Sequence, residues 1–197
     1  GDNRLGYVFD GTAIVVKSSE SGIKSIRSRS GVLEGKVYFE VTVLGPAPAA
    51  STRPRRNTAW MHLGWAEDSF MPGAASRRRR RKMSEGSYVV CGSKAKRYWA
   101  GQKEDWGGKW RWQQGDVVGC SLDVEEQEIR YYLNGKDLGA AFKKDVLTSE
   151  KLGQGLFITC SLGVQQGVKI NLGESDFQHG LPAGFKSVQK RRMKRRM

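Results

Sequence analysis

Apolar and polar residues alternate along much of the chain with a period of two, the spacing of strands that bury one face. The clearest run is Gly115–Phe142, GDVVGCSLDVEEQEIRYYLNGKDLGAAF. Val117–Val124 predicts a strand with Cys120, Leu122 and Val124 on one face and Ser121 and Asp123 on the other. Glu125-Glu126-Gln127 follows as a polar turn. Ile129, Tyr131 and Leu133 then alternate with Arg130 and Tyr132. Asn134-Gly135 tolerates the positive φ that a two-residue type I′ turn needs, and the chain returns through Leu138, Ala140 and Phe142.

The same pattern predicts more elements on either side. Leu5–Lys17 reads as a hairpin around Asp10-Gly11, and Ile23–Arg29 as a short strand with one wet face. Gly31–Gly35 is a turn, and Lys36–Leu44 a strand with Val37, Phe39, Val41 and Val43 inward. Gly45–Asn57 is rich in Pro, Ala and Arg and reads as an exposed loop. Thr58–Ala66 and Tyr88–Cys91 are strands, and Met71–Gly86 between them is expected to be a mobile insertion. Gly92–Gln114 carries four tryptophans without a clean period. Lys143–Gly155 holds room for a helical turn, and Phe157–Leu162 and Val168–Leu172 are the last strands. Many short strands, and no long segment of period 3.6, predict an all-β antiparallel two-sheet sandwich.

Length and charge refine this picture. The 197 residues suit one domain, expected over 1–188, with a basic insertion at about 71–86 and a basic tail at 189–197. With Gly1 in place of Met, the chain is expected to be cut from a longer protein. No leader pattern opens it and no run of 18 apolar residues occurs, so neither secretion nor membrane insertion is expected. The net charge of +14 is concentrated. Arg77–Lys82 and Lys190–Arg196 hold six positive charges each, which leaves 22 of the 34 basic residues against 20 acidic ones. Setting aside Arg53, Arg55 and Arg56 as well tips the body of the domain to −1. Blocks of like charge stay solvated and commonly serve as interaction tails or import signals.

Catalytic chemistry finds little to work with, and a non-enzyme without cofactor or metal is expected. Cys91, Cys120 and Cys160 are far apart and read as reduced core thiols of an intracellular protein, cytoplasmic or nuclear. His62 and His179 sit in no metal-ligand pattern. Gly31–Lys36 has three residues between its glycines where a phosphate loop needs four. Asp123, Glu125 and Glu126 read as solvent-facing turn formers. Trp99, Trp106, Trp110 and Trp112 fall within fourteen positions, and each either covers the core or contacts a ligand.

The run Gly115–Phe142 resembles the signature of the SPRY domain: a GDVVGC-type strand, an acidic turn, an aromatic strand, then NGxxLG and AF. The likeness extends through GVLEGKVYFEVTV (Gly31–Val43), HLGWAEDSF (His62–Phe70), LFITCSLGVQQGVKINLGESDF (Leu156–Phe177) and LPAGF (Leu181–Phe185), and covers roughly residues 5–186. It implies two bent antiparallel sheets with ligand-binding loops at one rim. Carried over by position, these loops are Lys17, Ser18, Ser19 and Glu20, then Gly163, Val164, Gln165 and Gln166. The central loop adds Tyr98, Trp99 and Trp106, and Trp112 matches a structural aromatic position. The Arg-rich insertion Ser76–Met83 and the long loop Pro46–Asn57 depart from the family pattern.

Three functional readings follow. The resemblance implies a protein-interaction module, an adaptor or scaffold that docks a peptide or partner domain, with substrate recognition for ubiquitin ligases among the family's uses. The alternative is association with RNA or an acidic partner. It would use Arg77, Arg78, Arg79, Arg80, Arg81 and Lys82, with Arg191, Arg192, Arg195 and Arg196 of the tail. Glycan binding, by stacking of tryptophan on sugar rings, is the third.

Overall fold

A computed structural model describes residues 7–10, 13–16, 23–46, 61–71, 85–108, 110–164 and 166–189. In chain order the strands are β1 (Tyr7–Asp10), β2 (Ala13–Val16), β3 (Lys24–Arg27), β4 (Lys36–Pro46), β5 (Met61–Ala66), β6 (Ser87–Cys91) and β7 (Lys96–Trp99). They continue with β8 (Gln102–Asp105), β9 (Val117–Asp123), β10 (Glu128–Leu133), β11 (Lys136–Phe142), β12 (Phe157–Leu162), β13 (Gln166–Asn171) and β14 (Lys186–Ser187). One helical turn, α1 (Ser149–Gly153), precedes β12. One sheet runs β1-β2-β13-β4-β9-β10-β11, with β14 alongside β4, and the other runs β3-β12-β5-β6-β7-β8. All pairings are antiparallel except β14 with β4.

The alternation read from the sequence selects the inner faces. Val37, Phe39, Val41, Cys120, Leu122, Ile129 and Tyr131 are buried from the first sheet, and Leu63, Trp65, Val90, Ile158, Cys160 and Leu162 from the second. Phe39 and Trp65 meet edge to face at 5.4 Å across the interior. The Tyr131 hydroxyl crosses the same gap and donates to the Leu63 carbonyl at 2.8 Å. At about 25 cal/mol per Å² of apolar surface, aromatic side chains of this size dominate the burial energy.

The Asn134-Gly135 turn has φ of 50° and 78°, as a type I′ turn demands. The returning strand departs from simple alternation. Register shifts beside Arg130 and Tyr132 place Ala141 and Phe142 both in the interior, while Ala140 is half-buried. Ala140 and Ala141 instead present carbonyls to the other sheet. Trp106 Nε1 donates to Ala140 at 3.0 Å and Arg97 Nη1 to Ala141 at 2.6 Å, which closes the sandwich along edge strand β11.

Several expectations shift. The segment Gly92–Gln114 contains the hairpin β7–β8, which no hydrophobic pattern announces because all of β8 is exposed. Its turn, Ala100-Gly101, has φ of 43° and 79°. The strand at Ile23–Arg29 is shorter and not wet at Ser25, which is buried against Ser161 Oγ at 2.7 Å. Asp123 does not face solvent. It is buried, holds the Glu125 and Glu126 amides at 3.1 and 3.0 Å and pairs with Lys36 at 2.8 Å. Beyond β13 the chain crosses the outer face of the first sheet. Phe177 packs on Tyr38 at 5.1 Å, and Val188 is fully buried in the core.

Candidate functional site

The strand registers bring six connections to one end of the sandwich. Gly167 pairs Val15, Gln166 pairs Pro46, Leu162 pairs Met61 and His62 pairs Cys91. Lys96 pairs Asp105, Thr42 pairs Val117 and Leu133 pairs Val118. The strand ends that bound residues 17–23, 47–60, 92–95, 106–116, 134–135 and 163–165 therefore share this rim. Of the residues the resemblance assigns to ligand contact, Lys17, Ser18, Ser19, Glu20 and Gln165 lie outside the described residues.

The turn at Gly163 is built to hold its shape. Gln166 Oε1 accepts the Gly163 amide at 2.7 Å, and the Gln166 amide donates back to the Gly163 carbonyl at 3.1 Å. Both residues are buried, which leaves Val164 as the half-exposed side chain there. On the same rim, the described residues between Trp106 and Asp116 are fastened at several points. Trp112 N–H donates to the Gly92 carbonyl at 2.9 Å, and Asp116 Oδ2 accepts the Gln113 amide at 2.6 Å. Asn134 accepts from the Val117 amide at 2.8 Å and donates to Asp116 Oδ1 at 2.9 Å, so the hairpin turn and this loop form one unit.

The tryptophans layer outward from the core. Trp106 packs on Tyr131 at 5.7 Å and on Trp110 at 5.7 Å, and Trp110 stacks on Trp112 at 5.9 Å. The Trp112 ring in turn lies on Gly92, where a methyl group would come within 2.0 Å of it. Their faces are therefore largely occupied by one another, and all three are half-buried. Trp99 lies at the far end of the sandwich, packed on Phe142 at 6.2 Å beneath the Arg97 guanidinium at 4.9 Å. Tyr98 stands on the outer face of β7, 4.9 Å from the His62 ring, and burial pushes its hydroxyl up to about 12. The structure thus gathers Trp106 and Val164 at the rim and sets Trp99 apart from them.

Three exposed cations at the rim, Lys94, Arg111 and Lys136, escaped the sequence reading. Their positions in the sequence are unrelated, and only the strand registers bring them to one end. Arg77–Lys82 lies outside the described residues, but the strand ends that bracket it, Ala66 and Ser87, pair with each other at the end away from the rim. The tail residues Arg191, Arg192, Arg195 and Arg196 also lie outside the described residues.

Burial shifts one histidine and two thiols away from their ordinary titration ranges. Burial, reinforced by Lys94, lowers His62 to about 4 and keeps it neutral, and burial pushes the Cys120 and Cys160 thiols up to about 12. Among the described residues no three His, Cys, Asp or Glu side chains converge as metal ligands, and no helix is long and apolar enough to cross a membrane.

Comparison with known proteins agrees with this architecture. The chain is similar to E3 ubiquitin-protein ligase RKP of Arabidopsis thaliana, 27% identical over 183 residues, 89% of this chain and 12% of that protein. It is similar to heterogeneous nuclear ribonucleoprotein U-like protein 2 of Homo sapiens, 32% identical over 130 residues, 64% of this chain and 16% of that protein. It is also similar to ATP-dependent RNA helicase DDX1 of Xenopus laevis, 36% identical over 75 residues, 38% of this chain and 10% of that protein. The chain thus spans only a small part of the length of each relative. The SPRY domain profile matches residues 36–175, from the first residue of β4 to just past β13. With that match laid over two antiparallel sheets and their shared rim, the chain belongs to the SPRY domain family.

Proposed function

We propose that this SPRY domain is a non-catalytic adaptor or scaffold module that docks a segment of a partner protein on its rim. The observation that carries the reading is a rim whose described connections are held by hydrogen bonds: Gln166 closes the turn at Gly163, Asp116 holds the Gln113 amide, and Asn134 ties the hairpin turn to Asp116. A fixed frame with loops at one end suits docking because little ordering entropy is lost when a partner binds. The neutral His62 and the buried thiols offer no group poised for catalysis. The likeness to an E3 ligase supports a use in choosing ligase substrates within an intracellular protein.

Affinity capture with the full chain, followed by mass spectrometry with and without nuclease, tests this reading. Val164→Arg, at the half-exposed position of the rim turn, should abolish capture of nuclease-resistant partners while the melting temperature stays within a few degrees. Capture unaffected by Val164→Arg would overturn rim docking.

A second reading has its own support. Two of the relatives carry RNA in their descriptions or belong to ribonucleoproteins by name, and Arg77–Lys82 and Lys190–Arg196 offer twelve cations for phosphate contacts. On this reading partners disappear on nuclease treatment and on replacing both runs with Gly and Ser.

A further inference from the structure

Strand β8 is open on three sides. All four of its residues, Gln102–Asp105, are exposed, including Gln102 and Glu104 on the face turned toward the first sheet. The reason is where the first sheet stops. Its last strand, β11, lies beneath β7, where the Ala141 carbonyl receives Arg97 and Phe142 receives Trp99, so β8 overhangs it. On its other side β8 pairs with no strand among the described residues. Its backbone groups divide by residue. The two-residue turn Ala100-Gly101 makes Trp99 and Gln102 a hydrogen-bonded pair, and the bond from the Trp106 amide to the Ala95 carbonyl at 2.8 Å keeps the same phase. The amides and carbonyls of Gln102 and Glu104 therefore face β7, and those of Lys103 and Asp105 face outward.

An exposed row of strand groups is a template for another strand, and charges along it decide which strand it accepts. Lys103 and Asp105 stand on the outer face beside Tyr98 and Lys96. Asp105 pairs with Lys96 yet stays 86% exposed, while Lys103 is exposed and has no carboxylate partner among the described residues. From this order of charges we infer that the occupant of the edge is a second copy of the chain, whose own β8 adds antiparallel about a two-fold axis. Side chains opposite one another in such a pair share a face, so among charged residues Lys103 can meet either Lys103 or Asp105 of the second copy. The register with Asp105 opposes unlike charges and engages every outward-facing group, Lys103 with Asp105 and Asp105 with Lys103. Glu104 then meets Glu104 of the second copy at the axis, and each is already neutralised by its own Arg97 fork at 2.6 and 3.2 Å. The inference does not depend on the rim-docking reading. Antiparallel joining points the two rims in opposite directions and leaves both available. So short a contact falls below the roughly 1,200 Å² of a stable interface, so the pair is weak and forms where copies are held at high local concentration.

Sedimentation velocity on the full chain, from about 10 µM to about 1 mM where weak pairs become populated, tests the inference. The parent should shift toward a dimer as concentration rises. Lys103→Asp sets like charges opposite one another at both ends of the pair and should weaken self-association about tenfold, as should Asp105→Lys. An equimolar mixture of these two variants restores both unlike pairs and should associate as the parent does, which also shows that neither variant is merely unfolded. Lys103→Pro removes an amide that faces away from β7, so the hairpin keeps its bonds while the open edge loses a donor, and the dimer should be lost. A parent that stays monomeric throughout the range would overturn the inference. So would a dimer that survives Lys103→Pro, or a mixture that recovers nothing of what the single variants lose. A dimer lost with Val164→Arg and indifferent to the β8 variants would move the contact to the rim and sink the edge pairing. Rim docking fails separately, by capture of partners that ignores Val164→Arg, so the two readings are distinguished.

Discussion

Trp106, at the rim, donates its indole N–H at 3.0 Å to the carbonyl of Ala140, on the edge strand of the opposite sheet. That bond makes Trp106 a closing clasp of the sandwich rather than a free contact ring. Trp106→Ala removes the clasp, uncovers Tyr131 and leaves the Ala140 carbonyl without its donor. The loss should be about 3 kcal/mol of unfolding free energy, by analogy with truncation of buried aromatics. Trp106→Phe keeps most of the packing and should lose about 1 kcal/mol. Urea denaturation distinguishes these outcomes, and two variants as stable as the parent would show that the clasp is idle.

Glu40 anchors the C-terminal segment. It is 3% exposed and accepts the amides of Gln178 at 2.7 Å and His179 at 3.1 Å, with the Tyr38 hydroxyl at 3.1 Å. Removing a buried, charge-assisted acceptor strands its donors, so Glu40→Ala should be destabilising by about 2–3 kcal/mol. The effect should be local as well as global. Amide exchange of Gln178 and His179 should accelerate far more than that of Phe39 or Cys120. Uniform acceleration would mean that the segment and the sheet open together and that Glu40 holds no separate clip.

Gly64 admits no side chain. A Cβ there would come within 2.1 Å of the Tyr88 carbonyl and 2.5 Å of the Tyr131 hydroxyl. The first of these is backbone in a neighbouring strand and cannot swing aside. Gly64→Ala should force β5 and β6 apart, at about 3 kcal/mol or more, and reduce soluble yield. Gly108→Ala, where a Cβ meets nothing within 4 Å, is the comparison within the same chain. Its φ of 96° keeps some backbone strain but no clash. Equal melting temperatures for the two variants would refute the steric argument.

His62 predicts a pH dependence. Its buried ring has a folded-state value of about 4 against an ordinary 6.5, so the unfolded chain binds the proton more readily. Stability from this residue is complete above pH 6.5 and falls as the pH drops toward 4, by on the order of 3 kcal/mol in all. Carboxylates titrate in the lower part of this window too, so the comparison is with His62→Asn. The parent should lose more stability than the variant between pH 6.5 and 4.5, and parallel curves would exclude His62 as the cause.

Strands whose side chains alternate between core and surface were legible from residue order alone. Lys36–Leu44, Val117–Val124 and Phe157–Leu162 lie within a residue or two of β4, β9 and β12. Asn134-Gly135 announced its turn because few residue pairs accept two positive φ angles. The β7–β8 hairpin was not legible, since Gln102–Asp105 buries nothing and carries no periodic signal. β14 escaped for another reason: its two residues gain strand geometry only from the free side of β4 beyond β13. The site divides the same way. Tryptophan crowding flagged the loop at 106–116, but the sharing of ring faces among Trp106, Trp110 and Trp112 exists only in three dimensions.

Residue order alone determined the class of fold and the neutrality of the body beneath its charged runs, because period and composition are local properties that need no partner. Tertiary structure decided which connections share an end, that Lys94, Arg111 and Lys136 ring the same rim, and that the strand ends bracketing Arg77–Lys82 lie at the other end. Those outcomes depend on strand registers between residues tens of positions apart. Such pairings are set by the packing of two sheets on one core, and no single stretch of sequence encodes that packing.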